Sequence, residues 1–441
     1  MRVYFHTFGC KANQYDTERM RQESESRGAI PASGWTDADV CVVNTCTVTT
    51  QADSEARRFV RRVRRDNPSA RVVVAGCSAA LRGSDYRTMD GVSAVIAGPD
   101  PIAVADAVGA AGGPGLVQLG LRGGLDRIDT EPVAAELLRE RVGATRGWLK
   151  IQDGCDRHCS FCATRLARGE SRSRPLDELL REAALLARTH PELVLTGIHI
   201  GHYGLDLRSP SSLSRLLASL LDRVPSVRFR LGSVEATEVD DLLLELIAAD
   251  EGRVAPHLHM PLQSGADPVL RRMRRWHTRE AYRSRALEIA GRVAVLGLGA
   301  DVITGFPGET DADHEATRAL VEELPFTYLH VFPFSPREGT GAAEMDRAGP
   351  VPQRVAADRA RELRELADAK GRTYRESRAG GAADVTLEAR ETVALTGDYL
   401  RVGILHEGRP ASSPVRRLHR GVLRGAGGDL YIDLSRSHAL N

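Results

Sequence analysis

The chain has 441 residues, 42% of them hydrophobic and 27% charged, with a formal net charge of +1 and seven cysteines. These values predict a folded protein of about three domains, and the charge by itself gives no indication of nucleic-acid binding. The sequence has no apolar run of membrane-spanning length and no signal-peptide pattern in residues 1–10, so we expect a cytoplasmic protein that does not bind membranes. In that compartment its cysteines are expected to be ligands or nucleophiles.

Three β-branched runs near the N-terminus, residues 2–10, 39–46 and 71–77, each end in a cysteine. Helical patterns follow at residues 17–27 and 52–65, so we predict a parallel α/β sheet. The carboxyl ends of parallel strands meet at one edge, which would bring Cys10, Cys46 and Cys77 together. They could bind an iron–sulfur cluster with one open iron, or they could be three buried thiols. Cys41, within a strand, is predicted to be core.

Six arginines in residues 57–65 surround an apolar stripe of Phe59, Val60 and Val63. The stripe is expected to pack on the sheet. The arginines are interpreted as a solvated face, with phosphate binding as the alternative. Residues 106–140 are rich in glycine and alanine and are predicted to be a linker.

Cys155, Cys159 and Cys162 follow a predicted strand at residues 148–152 with C-x3-C-x2-C spacing. Such a tight loop can direct three thiolates toward one point, and sulfur ligands suit iron–sulfur clusters or zinc. A structural zinc site needs a fourth ligand, for which His158 is the local candidate. Spacing alone therefore favours a 4Fe–4S cluster with an open iron and leaves zinc, or a loop of free thiols, as alternatives.

The central region repeats a strand-then-helix pattern six times, which predicts a partial (βα)6 barrel with reactive groups at the carboxyl ends of its strands. Polar or glycine-containing loops at that end lie at residues 196–198, 233–235, 263–265 and 305–309. Arg168, Arg172 and Arg174 are interpreted as charges at the surface or behind the ligands. The predicted strands are residues 148–152, 193–200, 227–233, 257–262, 298–304 and 328–334.

After a predicted helix at residues 351–378, five short β-type runs are separated by glycine turns, which predicts a small antiparallel β-barrel. Its later part is basic. The barrel could bind RNA, or it could be a module that only packs against the rest of the protein. The basic residues are Arg416, Arg417, Arg420 and Arg424.

With these pieces in place, the chain resembles the methylthiotransferases, a radical S-adenosylmethionine (SAM) family, over nearly its full length. The resemblance implies an α/β protein with an N-terminal cluster domain (residues 1–105), a linker (106–140), a TIM-like radical SAM domain (141–375) and an RNA-binding TRAM barrel (380–438). The matching motifs are GCKANQYDTE (9–18), NTC (44–46), GC (76–77), ARGESRSRP (167–175), HLHMPLQSG (257–265), DVITGFPGET (301–310) and LHVFPFS (329–335).

By this resemblance, Cys155, Cys159 and Cys162 hold a 4Fe–4S cluster whose open iron binds SAM for reductive cleavage. Cys10, Cys46 and Cys77 hold a second 4Fe–4S cluster that carries the transferred sulfur, and a second SAM donates the methyl group. The residues expected to contact SAM are Phe161, Gly197, Glu235 and Gln263.

The form of the first motif is similar to the branch that methylthiolates C2 of N6-threonylcarbamoyladenosine at tRNA position 37. Sister branches act on N6-isopentenyladenosine or on an aspartate of a ribosomal protein. The resemblance implies tRNA as partner and an external electron donor of the flavodoxin or ferredoxin type, and leaves the sulfur source open. Ala163-Thr164 departs from the Ile-Pro of many relatives, which bears on substrate fit.

Overall fold

The computed structural model describes residues 1–110, 117–119, 137–249, 252–388, 392–405, 417–426, 428–434 and 439–440. Most of the predicted linker, and Arg416 of the predicted basic barrel face, lie outside these residues. No helix within the described residues is both long enough and apolar enough to cross a bilayer.

The N-terminal unit is a parallel sheet of six strands in the order β2-β1-β3-β4-β5-β6. Helices cover both faces, so the middle strands are continuous apolar runs, and all six residues of β3 are buried. The strands are β1 (Arg2–Thr7), β2 (Ile30–Pro31), β3 (Val40–Thr45), β4 (Arg71–Gly76), β5 (Val92–Ile96) and β6 (Val117–Leu119). The helices are α1 (Lys11–Ser26), α2 (Thr50–Asp66), α3 (Cys77–Arg87) and α4 (Pro101–Gly109).

In this unit one local prediction is confirmed and one predicted boundary is wrong. The apolar stripe of α2 packs on the sheet as predicted, since Phe59, Val60 and Val63 are buried. The predicted linker begins too early, because α4 extends to Gly109. Asp100 caps this helix through its side chain and a proline stands at its first turn, so the alanine-rich composition there reflects a helix.

The central unit contains the six predicted strands as two parallel three-stranded sheets, β11-β10-β7 and β12-β13-β14. Parallel bridges, Phe229 with Val254 and Ser233 with His259, join the sheets into a partial barrel. The six strands are β7 (Arg146–Lys150), β10 (Glu192–Thr196), β11 (Arg228–Leu231), β12 (His257–His259), β13 (Gly297–Thr304) and β14 (Tyr328–Pro333). Two further short strands, β8 (Gln152–Asp153) and β9 (Arg172–Ser173), form a separate antiparallel pair.

The barrel strands alternate with helices that pack outside them around one large apolar core. The last helix, α13, leads to the C-terminal unit. The helices are α5 (Thr164–Arg168), α6 (Leu176–Leu186), α7 (Leu213–Arg223), α8 (Asp241–Ala248), α9 (Asp267–Arg272), α10 (Arg279–Arg292), α11 (Asp311–Glu323), α12 (Gly341–Ala348) and α13 (Gln353–Arg378).

The C-terminal unit is the predicted small barrel, closed by pairing of its first strand with β18. Its pairings are antiparallel except for β17 with β19, which is parallel, so the expectation of a wholly antiparallel barrel is wrong at that pair. The strands are β15 (Ala382–Leu387), β16 (Val393–Thr396), β17 (Arg401–Leu405), β18 (Leu418–Ala426), β19 (Asp429–Asp433) and β20 (Ala439–Leu440).

A buried charge cluster joins the central sheet to this small barrel. Glu192 at the start of β10 is fully buried, and its carboxylate accepts hydrogen bonds from Arg228 Nε (2.7 Å) and Arg230 Nε (2.8 Å). The same arginines donate to backbone carbonyls of the small barrel, Arg228 to Asp384 (3.0 Å) and Arg230 to Gly397 (2.8 Å). One carboxylate therefore holds the two cations that dock the C-terminal unit.

Candidate cluster sites

The first candidate site is the N-terminal trio, Cys10, Cys46 and Cys77. Each cysteine directly follows a strand or caps a helix at the carboxyl edge of the sheet: Cys10 is the N-cap of α1, Cys46 follows β3, and Cys77 opens α3. Cys46 and Cys77 are buried and Cys10 is exposed. The topology thus brings together the three thiols in the way that the sequence pattern predicts.

Asn13 holds the three cysteine loops together. Its Nδ2 donates to the carbonyl oxygens of Phe8 (2.8 Å) and Thr45 (2.9 Å), which precede Cys10 and Cys46. Its Oδ1 lies 4.0 Å from Cys10 Sγ and 3.8 Å from Cys77 Sγ. One buried amide therefore contacts all three loops.

Gly9 allows the first loop to approach the second. Its φ is +99°, and a Cβ placed there would lie 2.7 Å from both Cβ and Sγ of Cys46. We expect Gly9→Ala to displace the Cys46 thiol and to lower iron bound by this trio, in addition to about 1–3 kcal/mol of backbone strain. Gly28→Ala is the matched control, because Gly28 has a φ of +91° but nothing within 4 Å of the added carbon.

This prediction is checked by counting iron in anaerobically reconstituted protein that lacks the central cysteines. Both variants carry left-handed backbone strain, so the contacts of the added carbon with Cys46 and, at 3.1 Å, with Asn13 Nδ2 distinguish them. Equal iron contents in the two variants would contradict the expected displacement.

The second candidate site is the central trio, Cys155, Cys159 and Cys162, in the loop between β8 and α5 at the carboxyl end of the barrel. All three are partly buried. The backbone N–H of Arg157 donates to Cys155 Sγ (3.4 Å), and Arg275 Nη1 lies 3.7 Å from Cys159 Sγ. His158 is exposed and does not join the trio.

Acidic and imidazole groups surround the central trio. His199 Nδ1 lies 3.5 Å from Cys155 Sγ, and its Nε2 lies 2.9 Å from the carboxylate of Glu238. Glu235, predicted to take a polar group of SAM, forms an ion pair with Arg275 (2.5 Å). Burial raises the pKa of Glu235, and Arg275 opposes that effect.

The other residues predicted to contact SAM occupy different surroundings. Phe161 packs with the small apolar cluster around Phe306 and Met273. Gly197 lies against the backbone of Gln152, where a Cβ would be 2.7 Å from the carbonyl oxygen. Gln263 has a φ of +68° and donates its N–H to Asp301 O (2.8 Å). The four lie at the same end of the barrel without bonding to one another.

The thiols suit iron–sulfur clusters better than a single ion. A zinc ion with sulfur ligands at about 2.3 Å requires the ligand atoms to lie within about 4 Å of one another. Among the described residues, the groups of three that converge to within 4.8 Å are His199, His202 and Glu238, and His259, Asp301 and His330, and neither contains a cysteine. Thiols that do not all converge to within 4.8 Å, with N–H and guanidinium donors beside them, fit a larger, anionic cluster.

Burial, with a smaller contribution from neighbouring thiols, raises the pKa of Cys46 and of Cys155 to about 12, although backbone N–H groups oppose the shift. Without a bound cation these sites hold thiols. Loading of metal at either trio would therefore release protons.

Arg168 connects the two sites: of the two sequence interpretations, a charge at the surface or one behind the ligands, the second is confirmed. It is 1% exposed, and its Nε donates to Cys77 Sγ (3.2 Å). Its Nη1 donates to Asp153 Oδ1 (2.9 Å), two residues before Cys155, and its Nη2 donates to Asp16 Oδ2 (2.7 Å). Lys150 bonds to the same two carboxylates, each at 2.8 Å.

Asn13, Arg275, His199 and Glu238 also contact the cysteines or their partners and were not predicted individually. Asn13 and Arg168 lie inside the matching motifs at 9–18 and 167–175, so their position in those motifs was the available signal. No sequence signal marked His199, Glu238 or Arg275, because only the fold brings them to the loop of the central trio.

Two family models match the chain: "Uncharacterized protein family UPF0004" over residues 2–98, and the radical SAM superfamily over residues 149–321. Among curated relatives, the threonylcarbamoyladenosine tRNA methylthiotransferase MtaB of Bacillus subtilis is 34% identical over 91% of this chain and 89% of its own. The protein of that name from Aquifex aeolicus is 33% identical over 91% and 96%. The tRNA-2-methylthio-N(6)-dimethylallyladenosine synthase of Fervidobacterium nodosum is 33% identical over 88% of each chain.

A solved structure, the radical SAM methyltransferase TsrM from Kitasatospora setae with cobalamin and a [4Fe-4S] cluster bound, aligns with a TM-score of 0.58. It is 16% identical and covers 78% of this chain and 77% of its own. At that identity the likeness concerns the fold alone.

Proposed function

The chain belongs to the radical SAM tRNA methylthiotransferase family, and we propose that it adds a methylthio group to C2 of N6-threonylcarbamoyladenosine at position 37 of tRNA. The observation that carries the proposal is the pair of cysteine trios at neighbouring sheet edges, linked through Arg168. A second candidate is the dimethylallyl-type adenosine named for the Fervidobacterium relative.

In this proposal each unit has one task. Residues 1–105 hold one 4Fe–4S cluster through the N-terminal trio, residues 141–375 hold the other through the central trio, and residues 380–438 bind tRNA. The two clusters, with SAM, supply the one-electron chemistry and the sulfur that substitution at an unactivated C–H position requires. The reducing equivalent comes from a flavodoxin- or ferredoxin-type donor in the cytoplasm.

The chain's own residues orient and shield these groups. Arg275 and Arg168 place positive charge beside Cys159 and Cys77, which offsets the negative charge of bound thiolates. Gln263, Glu235, Gly197 and Phe161 line the carboxyl end of the barrel, where SAM is proposed to bind. A base in the anticodon loop is single-stranded and can enter the barrel without opening a duplex.

Iron counting tests the two sites. We expect Cys155→Ala/Cys159→Ala/Cys162→Ala and Cys10→Ala/Cys46→Ala/Cys77→Ala each to retain about half of the wild-type iron after anaerobic reconstitution, since each removes one set of ligands. Cys41→Ala is the control, because that thiol is buried within β3 and belongs to neither trio. Either triple variant retaining full iron would remove its trio from the proposal.

Activity is tested on the same proteins. Wild type given SAM, dithionite and tRNA is expected to form deoxyadenosine, and nucleoside analysis is expected to find the 2-methylthio derivative of threonylcarbamoyladenosine. Accumulation of the dimethylallyl product alone would favour the second candidate. A central-trio variant that still forms deoxyadenosine would contradict the assignment of the catalytic cluster.

A further inference from the structure

One side of strand β14 presents aromatic and imidazole groups to the interior of the partial barrel. Leu329 and Val331 belong to the apolar core that includes Leu363 of α13, so that side faces the outer helices. Successive side chains of a strand point to opposite faces, which directs Tyr328, His330 and Phe332 inward. Their rings follow one another, with centroids 5.4 Å and 6.3 Å apart.

This inner face is open where core packing would be expected. The side chain of His330 is 53% exposed and Phe332 is 43% exposed. Exposed aromatic and imidazole rings that follow one another along a strand offer faces on which a planar base can stack.

His330 is held in one orientation. Its Nδ1 lies 3.2 Å from Asp301 Oδ1, while the other carboxylate oxygen lies 3.1 Å from His259 Nε2. Each oxygen of Asp301 thus faces a different imidazole. Burial raises the pKa of Asp301, but the hydrogen bonds from His259 and His330 outweigh burial. The pKa is therefore well below its ordinary value and the carboxyl group is ionised. Within the described part of the chain, His330 Nε2 has no hydrogen-bond partner.

The inner face of β14 formed by Tyr328, His330 and Phe332 is called the wall below, and neighbouring groups make it rigid. The Tyr328 hydroxyl lies 3.1 Å from His259 Nδ1 and 2.8 Å from His257 Nε2. Gly299 on β13 makes room for the Tyr328 ring, because a Cβ there would lie 2.0 Å from a ring carbon. The ring nitrogen of His330 is therefore presented by a fixed support.

Hydrogen bonds connect the wall's supporting residues to the surroundings of each cysteine trio. On one side, Asp301 accepts the N–H of Gln263 (2.8 Å), which belongs to the proposed SAM end of the barrel. On the other side, the chain beyond β14 reaches Arg337, which donates to Thr47 (2.6 Å), the residue after Cys46. A nucleoside bound on this wall would therefore lie near both clusters.

We propose that this wall reads the N6 substituent of the substrate: Phe332 stacks on the adenine, and His330, carrying a proton on each ring nitrogen, donates Nδ1–H to Asp301 and Nε2–H to the threonyl carboxylate. The assignment rests on the proposed function. The substrate carries a carboxylate that the dimethylallyl group lacks, and this carboxylate supplies the second acceptor that the His330 ring needs. A site built to bond a polar group rejects an analogue without it, because its own donor is then left unpaired.

The test uses reconstituted full-length enzyme and three anticodon stem-loops that differ only at position 37: threonylcarbamoyladenosine, dimethylallyladenosine and adenosine. We expect wild type to bind the first at least about tenfold more tightly than the other two, because a hydrogen bond to a charged group is at stake. His330→Phe keeps a ring and removes the donor, and is expected to bring the three affinities to within about twofold. Phe332→Ala is expected to weaken all three about equally.

Iron content and circular dichroism equal to wild type establish that the variants are folded and loaded. If His330→Phe keeps the wild-type preference while wild type forms the threonylcarbamoyl product, this assignment is overturned and the proposed function stands. If wild type shows neither the preference nor the product, both are overturned.

Discussion

Arg168→Met is expected to destabilise the protein by about 3–5 kcal/mol, the cost of breaking a buried ion-pair network from one side. The substitution leaves Asp16 and Asp153 with Lys150 as their remaining cation, and it removes the donor to Cys77. Because these groups are almost completely buried, water cannot replace the lost partner. We also expect lower iron at the N-terminal trio, since positive charge beside Cys77 favours its thiolate.

The measurements are urea unfolding followed by circular dichroism at pH 7, and iron content in a background without the central cysteines. Arg61→Met, on the exposed side of α2, is the matched control and is expected to change stability by less than about 0.5 kcal/mol. Arg168→Lys should recover part of the stability but not the iron content, because lysine lacks the planar fork that reaches several partners. A stable, fully loaded methionine variant would refute the role given to Arg168.

Glu192→Gln is expected to cost about 3–5 kcal/mol as well, because it leaves Arg228 and Arg230 buried without their shared anion. Both arginines donate to backbone carbonyls of the C-terminal barrel, so undocking of that barrel should accompany the loss. Limited proteolysis between α13 and β15 measures undocking directly. Glu365→Gln, at an exposed position on α13, is the control.

The same carboxylate predicts a pH dependence. Burial raises the pKa of Glu192, but Arg230 and Arg228 lower it well below its ordinary range. Because the pKa of Glu192 is lower in the folded state, its carboxylate contributes to the free energy of unfolding above the unfolded-state pKa of about 4.3. That contribution is lost as the pH falls from this value toward the folded-state pKa. Wild type should therefore lose stability below about pH 4 more steeply than Glu192→Gln. Parallel slopes for the two proteins would contradict this.

Local patterns predicted the features that depend on nearby residues. The spacing of Cys155, Cys159 and Cys162 is local, and the strand-then-cysteine pattern placed Cys10, Cys46 and Cys77 at one sheet edge because parallel strands share their carboxyl ends. The packing of Phe59 and Val63 followed from helical periodicity in the same way.

Features that depend on distant pairings could not be predicted. Arg168 is 91 residues from Cys77 and 152 from Asp16 in sequence, so no local pattern marks it as buried. The parallel pairing of β17 with β19 depends on which strands become neighbours after the barrel closes. The start of the linker was missed for a local reason instead, because the composition of α4 resembles that of a linker although Asp100 and Pro101 mark the start of a helix.

The position of Arg168 also imposes an order on synthesis. The three N-terminal cysteines leave the ribosome before their cationic partner, and 91 residues separate Cys77 from Arg168. At about 5–20 residues per second, translation takes roughly 5–18 s to cover that distance. During this interval the nascent chain carries three thiols without the guanidinium that bonds one of them. Iron delivery that waits for the central unit would therefore meet a more complete binding site than delivery to the first unit alone.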